Sequence, residues 1–194
     1  MKHIKKLKIL FLLTSGAISL VVLASCRHQS LGLRSEIMAM DTGNTLYFPS
    51  ITSENLNKES ITLPDDLAGN PSLVLVAYER NQQLNVNTWL DQLELIEKAL
   101  PGIQVIETPT ISSNKWGWMA WFIDGGMRSG ISDFEARART ITLFTNVKAF
   151  NKALGIDEVD RIYAVLLNDD GQVLVVESGN FSLEKLNVLI QSMN

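Results

Sequence analysis

Few residue types in this sequence can act as nucleophiles, general bases or soft-metal ligands. It has one cysteine, Cys26, and two histidines, His3 and His28, all within the first 28 residues. Residues 29–194 contain neither type, so the body of the chain cannot form an intrachain disulfide, a Cys/His zinc site, a thiol nucleophile or a His-based triad. Carboxylate, guanidinium and aromatic chemistry remain, in four places. Tyr78, Glu79 and Arg80, with Gln82, follow an apolar run and should sit at the carboxyl end of a strand, where open α/β sheets bind ligands. The alternative there is a solvated loop. Trp116, Trp118, Trp121 and Phe122 suit either a partner surface or a core.

Asp124-Gly125-Gly126-Met127-Arg128 is the third cluster and the favoured binding segment. Paired glycines permit unusual backbone angles or a close approach, and Arg128 can grip a carboxylate or phosphate with two parallel hydrogen bonds. The alternative is a structural turn closed by an Arg128–Asp124 ion pair. The segment is no nucleotide loop, because it lacks GxxxxGK[ST] and follows a helical pattern instead of a strand. The fourth cluster, Asn168-Asp169-Asp170-Gly171, reads as a hairpin turn. A calcium loop with its glycine at 171 would begin at Leu166, which is no ligand. The candidate binding residues are therefore Tyr78, Glu79, Arg80, Asp124, Gly125, Gly126, Met127 and Arg128. No catalytic residue, metal or cofactor is expected.

Strand and helix signals alternate from about Thr45, which predicts an α/β or α+β layered domain over 45–194. Glu59–Pro64 reads as a short strand, and Ser72–Tyr78 as a strand covered on both faces. Asn85 or Asn87 should cap a helix with Trp89, Leu93, Ile96 and Leu100 inward, which Pro101-Gly102 stops. Ile103–Thr108 is a second strand, parallel to the first through a βαβ crossover. A helix over Trp116–Ile123 should break at Gly125-Gly126, and Ser132-Asp133 starts another through Ala138. Thr140–Thr145 is a third strand, followed by a helix between Asn146 and Gly155. Arg161–Leu167 and Gln172–Glu177 form the hairpin. Ser182 opens a last helix with Leu183, Leu186, Ile190 and Met193 inward, Phe181 and Leu186 stapling its start.

Ahead of the domain, Lys2, Lys5, Lys6 and Lys8 precede an apolar run from Ile9 to Leu23 and the small residues Ala24 and Ser25. A charged start, a short apolar segment and a small-residue cleavage site make residues 1–25 a secretion signal, shorter than the span of about 20 apolar residues a membrane helix needs. Leu23-Ala24-Ser25-Cys26 resembles the bacterial lipoprotein lipobox, which implies cleavage before Cys26 and its acylation. Each buried CH₂ contributes about 0.8 kcal/mol, so several chains anchor stably where one does not. Arg27, in place of Asp, implies by the same analogy an outer-membrane lipoprotein facing the periplasm in a Gram-negative cell. Residues 26–44 would be the lipidated cysteine and a tether carrying His28. The leader removes four of the 17 basic residues and no acid, so 13 face 21 acidic ones, a formal charge of −8. That balance argues against nucleic-acid binding and against a polybasic membrane patch.

The element order is that of a thioredoxin-like domain of the peroxiredoxin type with an N-terminal strand extension. Leu63–Gly69, Leu73–Arg80, Trp89-Leu90, Asp124–Ile131, Ala138–Phe144, Tyr163–Leu167 and Asp170-Gly171 resemble segments of the mitochondrial ATP synthase assembly factor family and its bacterial relatives, over residues 60–194. The resemblance implies a role in assembling another envelope protein. Thioredoxin-like enzymes place a cysteine at the start of the first core helix, where Glu79–Asn87 here has none. They carry a cis-proline before the third core strand, where Arg139-Thr140 here has none. The reading that follows is a lipid-anchored, non-redox binding or assembly factor with an envelope protein partner. The alternatives are a small-molecule enzyme built on a carboxylate/Arg site and a passive envelope lipoprotein. An exposed Trp cluster would favour the first; a polar pocket with a buried Arg–carboxylate pair would favour the enzyme.

Overall fold

The computed structural model describes residues 45–113, 126–127 and 129–193. Within them a two-stranded antiparallel hairpin, β1 (Ile51–Glu54) and β2 (Ser60–Leu63), precedes a five-stranded mixed sheet. The sheet is built from β3 (Ser72–Ala77), β4 (Gln104–Ser112), β5 (Leu143–Thr145), β6 (Tyr163–Leu167) and β7 (Val173–Ser178), in the order β5-β4-β3-β6-β7. The helices are α1 (Gln83–Leu90), α2 (Leu93–Ala99), α3 (Phe134–Arg139), α4 (Val147–Leu154) and α5 (Leu183–Ser192). The expected layered α/β class is present, and the expected N-terminal strand extension is a hairpin, its second strand β2 paired with β1.

β3 is the central strand, and all six of its residues are buried, as its unbroken apolar run requires. Its alternate side chains serve two cores. Val74 and Val76 pack with Phe150 and Leu154 of α4 and with Leu63 of the front hairpin. Leu73 and Leu75 pack with Val86 and Trp89 of α1, Ile96 of α2, and Leu186 and Leu189 of α5. β4 pairs with β3 in parallel, Ser72 opposite Gln104, as the βαβ reading required. β6 pairs with the other edge of β3 antiparallel, Leu75 opposite Ala164.

Several boundaries differ from the sequence expectation. β4 does not stop at Thr108. Pro109 ends the ladder with β3, opposite Ala77, and from Thr110 the strand pairs with β5 instead. A proline, lacking its N–H, suits that change of partner. The long helix after β3 is two helices, broken at Asp91-Gln92, and it begins at Gln83, so Asn85 and Asn87 are inside it and cap nothing. Its start is set by a 3₁₀ turn, Arg80–Gln82, in which Glu79 and Gln82 form a reciprocal capping box. Thr140–Thr145 yields only the three-residue edge strand β5, with Thr140 and Ile141 in isolated bridges. The strand that pairs antiparallel with the centre is β6, and its approach, Asp157–Ile162, contains no proline either.

On α5 the inward residues are Leu186 and Leu189, with Ile190 half-buried, whereas Leu183 is 64% exposed and Met193 is also exposed. Leu183 directly follows the cap Ser182, on the first turn, ahead of the stretch that reaches the core. The caps Asp133, Asn146 and Ser182 each accept a hydrogen bond from the backbone N–H three residues on, and Gly155 closes α4 in the left-handed region. The Trp116–Ile123 helix lies outside the described residues. Gly126 and Met127 carry helical backbone, and Gly125 lies outside the described residues.

The Asn168–Gly171 turn is the predicted hairpin, its Asn168 Oδ1 accepting from the N–H groups of Asp170 and Gln172. Among the described residues no group of acids, Cys or His could hold a metal. Gly171 has φ +78°, and a Cβ there would lie 2.5 Å from Pro64 Cγ. Gly171→Ala is therefore expected to destabilise the domain by about 2 kcal/mol, from the left-handed backbone and the forced overlap together. Urea melts of the variant check this; an unchanged midpoint would mean that the Pro64 turn yields freely.

Candidate functional site

The carboxyl end of β3 turns directly into the 3₁₀ turn and α1, and α4 and the loop before β6 close around it. Tyr78 is the last residue of this approach. Its side chain is half-buried, its hydroxyl donates to Asn151 Oδ1 of α4 at 2.8 Å, and its ring meets Tyr163 edge-on, centroids 6.3 Å apart. Burial first, and then the neighbouring Tyr163, push the Tyr78 phenol far above its usual range, so it acts as a neutral donor and not as a base. Tyr78 is thus packed into the fold, whereas the side chains of Glu79 and Arg80 are exposed.

Gln82 is the organising residue. It is buried, and its Oε1 accepts from the N–H of Tyr78 at 2.8 Å and of Glu79 at 3.3 Å. Its Nε2 donates to Val159 O at 2.8 Å, in the loop ahead of β6. One amide thus ties the strand end, the first turn of the helix and the facing loop together, within the stretch Glu79–Asn87. A neutral amide donates on one side and accepts on the other, and here it holds the three segments in register. Leu84, 76% exposed, and Val159, 42% exposed, flank the tie.

Asp124, Gly125 and Arg128 lie outside the described residues, as do Cys26, Trp116, Trp118, Trp121 and Phe122. Of that favoured segment, Gly126 is exposed and Met127 half-buried. Among the described residues a Cβ on Gly126 would meet nothing within 4 Å, and its φ is not positive.

A partly buried carboxylate–arginine pair does occur, but between residues not singled out from the sequence. Glu107 of β4, 7% exposed, has Oε1 3.5 Å from Arg139 Nε of α3, and its Oε2 accepts from Gln83 Nε2 of α1 at 3.3 Å. Its only sequence signal is a lone acid within an apolar strand. Asn151, buried between Phe150 and Leu154, was equally hidden, since it sits on the apolar face of α4 and only its partner Tyr78 explains it. A depression of about 400 Å³ lined by Gly69, Pro71, Asn168, Asp169 and Met193 lies at the opposite end of β3 and presents no buried charge.

The profile of the family described as ATP10 protein matches residues 34–194. No curated protein matches the chain in sequence. Among solved structures it is similar to BsSco, a member of the Sco family of cytochrome c oxidase assembly proteins. That match has 13% identity and a TM-score of 0.53 over 77% of this chain and 92% of the other. It is similar also to the pneumococcal exposed lipoprotein thioredoxin from Streptococcus pneumoniae strain TIGR4, at 10% identity and a TM-score of 0.51 over 74% and 98%. At these identities the likeness is one of fold, and the fold is thioredoxin-like.

Proposed function

As the chain belongs to the ATP10 protein family, whose members resemble ATP synthase assembly factors, we propose that it assists assembly of a membrane respiratory complex by binding a protein subunit, without redox chemistry. The observation that carries this reading is Gln82. Its amide occupies the first turn after β3, and the exposed Leu84 and Val159 beside it offer apolar contact to a partner. In this reading Cys26 is acylated and holds the domain at the envelope membrane, facing the periplasm. The tether through residue 44 lets the Leu84–Val159 face reach a subunit in the same membrane. The domain uses no cofactor and reads no nucleic acid.

The test is photocrosslinking from position 84 of the full-length protein in native membranes. Capture of a subunit of a respiratory complex is expected, and Leu84→Asp should abolish competition by added protein. Leu84 is exposed, so that variant should melt within about 0.5 kcal/mol of the parent. Cys26→Ser should leave unprocessed precursor or protein lost from the membrane fraction. Undiminished competition by a normally folded Leu84→Asp protein, or insulin reduction by the purified chain, would overturn the reading.

A further inference from the structure

We propose that Glu107 is a latch, worked by a single proton, that releases α3 while leaving α1 in place. α3 has no buried side chain. It is held by polar contacts: Asn57 Nδ2 donates to Phe134 O at 3.0 Å, Asn55 Nδ2 to Ala138 O at 3.2 Å, and the Leu56 N–H to Arg137 O at 3.2 Å. Just past its carboxyl end the Leu56 N–H donates to Thr140 O at 3.1 Å and the Ile141 N–H to Glu107 O at 2.9 Å, and on the helix's last residue an ion pair adds an electrostatic hold. Arg139 Nε is buried, and Glu107 Oε1 faces it at ion-pair distance, 3.5 Å. The Arg139 side chain is still 29% exposed, so water can receive the guanidinium once the attraction is gone.

The same carboxylate makes a different kind of contact with α1. Gln83 Nε2 donates to Oε2, and a protonated carboxyl can keep this bond or reverse it by donating to the amide oxygen. Neutralising Glu107 therefore removes one partner and spares the other. Among the described residues the charged group facing it is Arg139. Gln83 is the polar neighbour from α1, the Thr140 hydroxyl donates to Ala136 O and also neighbours the carboxyl, and β3 presents Leu73, Leu75 and Ala77 on that face.

Burial raises the Glu107 carboxyl above the ordinary range of about 4.3, with the Gln83 hydrogen bond and the Arg139 charge only partly offsetting it. A group whose folded pKa is raised contributes stability that is full below the unfolded pKa and is lost as pH rises through the folded pKa. Acidification thus protonates Glu107 early and, for this group, strengthens the global fold while it loosens α3. Local opening without global weakening separates a latch from a mere structural ion pair.

The experiment is hydrogen exchange of the full-length protein between pH 8 and pH 4.5, with exchange times scaled for the intrinsic pH dependence of amides. Peptides covering 134–141 should speed up several-fold in one step centred above the ordinary carboxylate range. Those covering 83–90 should stay unchanged, and the melting temperature should not fall across the step. Glu107→Gln, nearly isosteric, should exchange fast over 134–141 at every pH, with no step and a melting temperature at pH 7 equal to or above the parent's. Arg139→Gln should behave alike over 134–141 and keeps the test open if the first variant does not fold. A flat profile in the parent, a step that persists in Glu107→Gln, or a step shared equally by 83–90 would overturn the latch.

Discussion

Trp89→Ala is expected to destabilise the domain by about 3–5 kcal/mol, the range for deleting a buried aromatic from a core. Trp89 is fully buried, its ring meets Phe181 edge-on with centroids 5.3 Å apart, and its Nε1 donates to Gly179 O at 3.0 Å. Alanine would open a cavity between α1, β3 and α5, remove the aromatic pair and leave a carbonyl unpaired. Such a loss is a large fraction of a typical domain stability of about 5–15 kcal/mol. Urea denaturation should show the midpoint collapsing, whereas Trp89→Phe should recover most of the packing but not the bond to Gly179. Because α1 carries Leu84, partner capture should fall in proportion to the unfolded fraction. A Trp89→Ala protein with near-parental stability would mean that α1 is not anchored through this ring.

Gln82 should give the second largest effect, and one that depends on pH. Gln82→Leu keeps the volume but leaves the Tyr78 N–H and the Val159 carbonyl without their partner, each worth about 1–3 kcal/mol when buried and unpaired. Gln82→Glu separates the two halves of that loss. A protonated carboxyl can still donate to Val159 O and accept from Tyr78 N–H, whereas a carboxylate would face a carbonyl at hydrogen-bond distance in a buried position. The folded pKa of this new acid is therefore raised. Its stabilising contribution is complete below the unfolded carboxylate value of about 4.3 and disappears as pH rises through the folded one. Thermal melts across pH 4–8 should show Gln82→Glu near the parent at the acidic end and well below it at neutrality. A constant gap at all pH values would show that the amide donor to Val159 contributes nothing.

These two residues show what the sequence makes legible. Trp89 is plain from its place in a period-3.6 apolar stripe, and the buried run of β3, the parallel β4 and the caps Asp133, Asn146 and Ser182 follow from similarly local rules. Gln82 could be placed beside Tyr78 but not given its role, because its third partner, Val159, is 77 residues away. Glu107 and Asn151 were unreadable for the same reason. A polar residue on an inward face signals a partner without saying which, and Arg139 and Tyr78 meet them only once the sheet has assembled. The front hairpin pairing and the early start of α1 were missed because both depend on a turn bonded through side chains instead of on periodicity.

The strand order has a consequence for biosynthesis. β3 receives its antiparallel neighbour β6 from about ninety residues downstream, and α5, the last helix, supplies Leu186 and Leu189 to the core over α1. A nascent chain that ends anywhere before β6 has its central strand open along one edge and Trp89 without its cover. The closing contacts are non-local ones with a large loop-closure entropy, so the chain stays uncommitted until nearly its whole length exists. An uncommitted chain can be threaded through a narrow pore, and the same delay leaves the β3 edge available to chaperones, or to aggregation, until β6 docks.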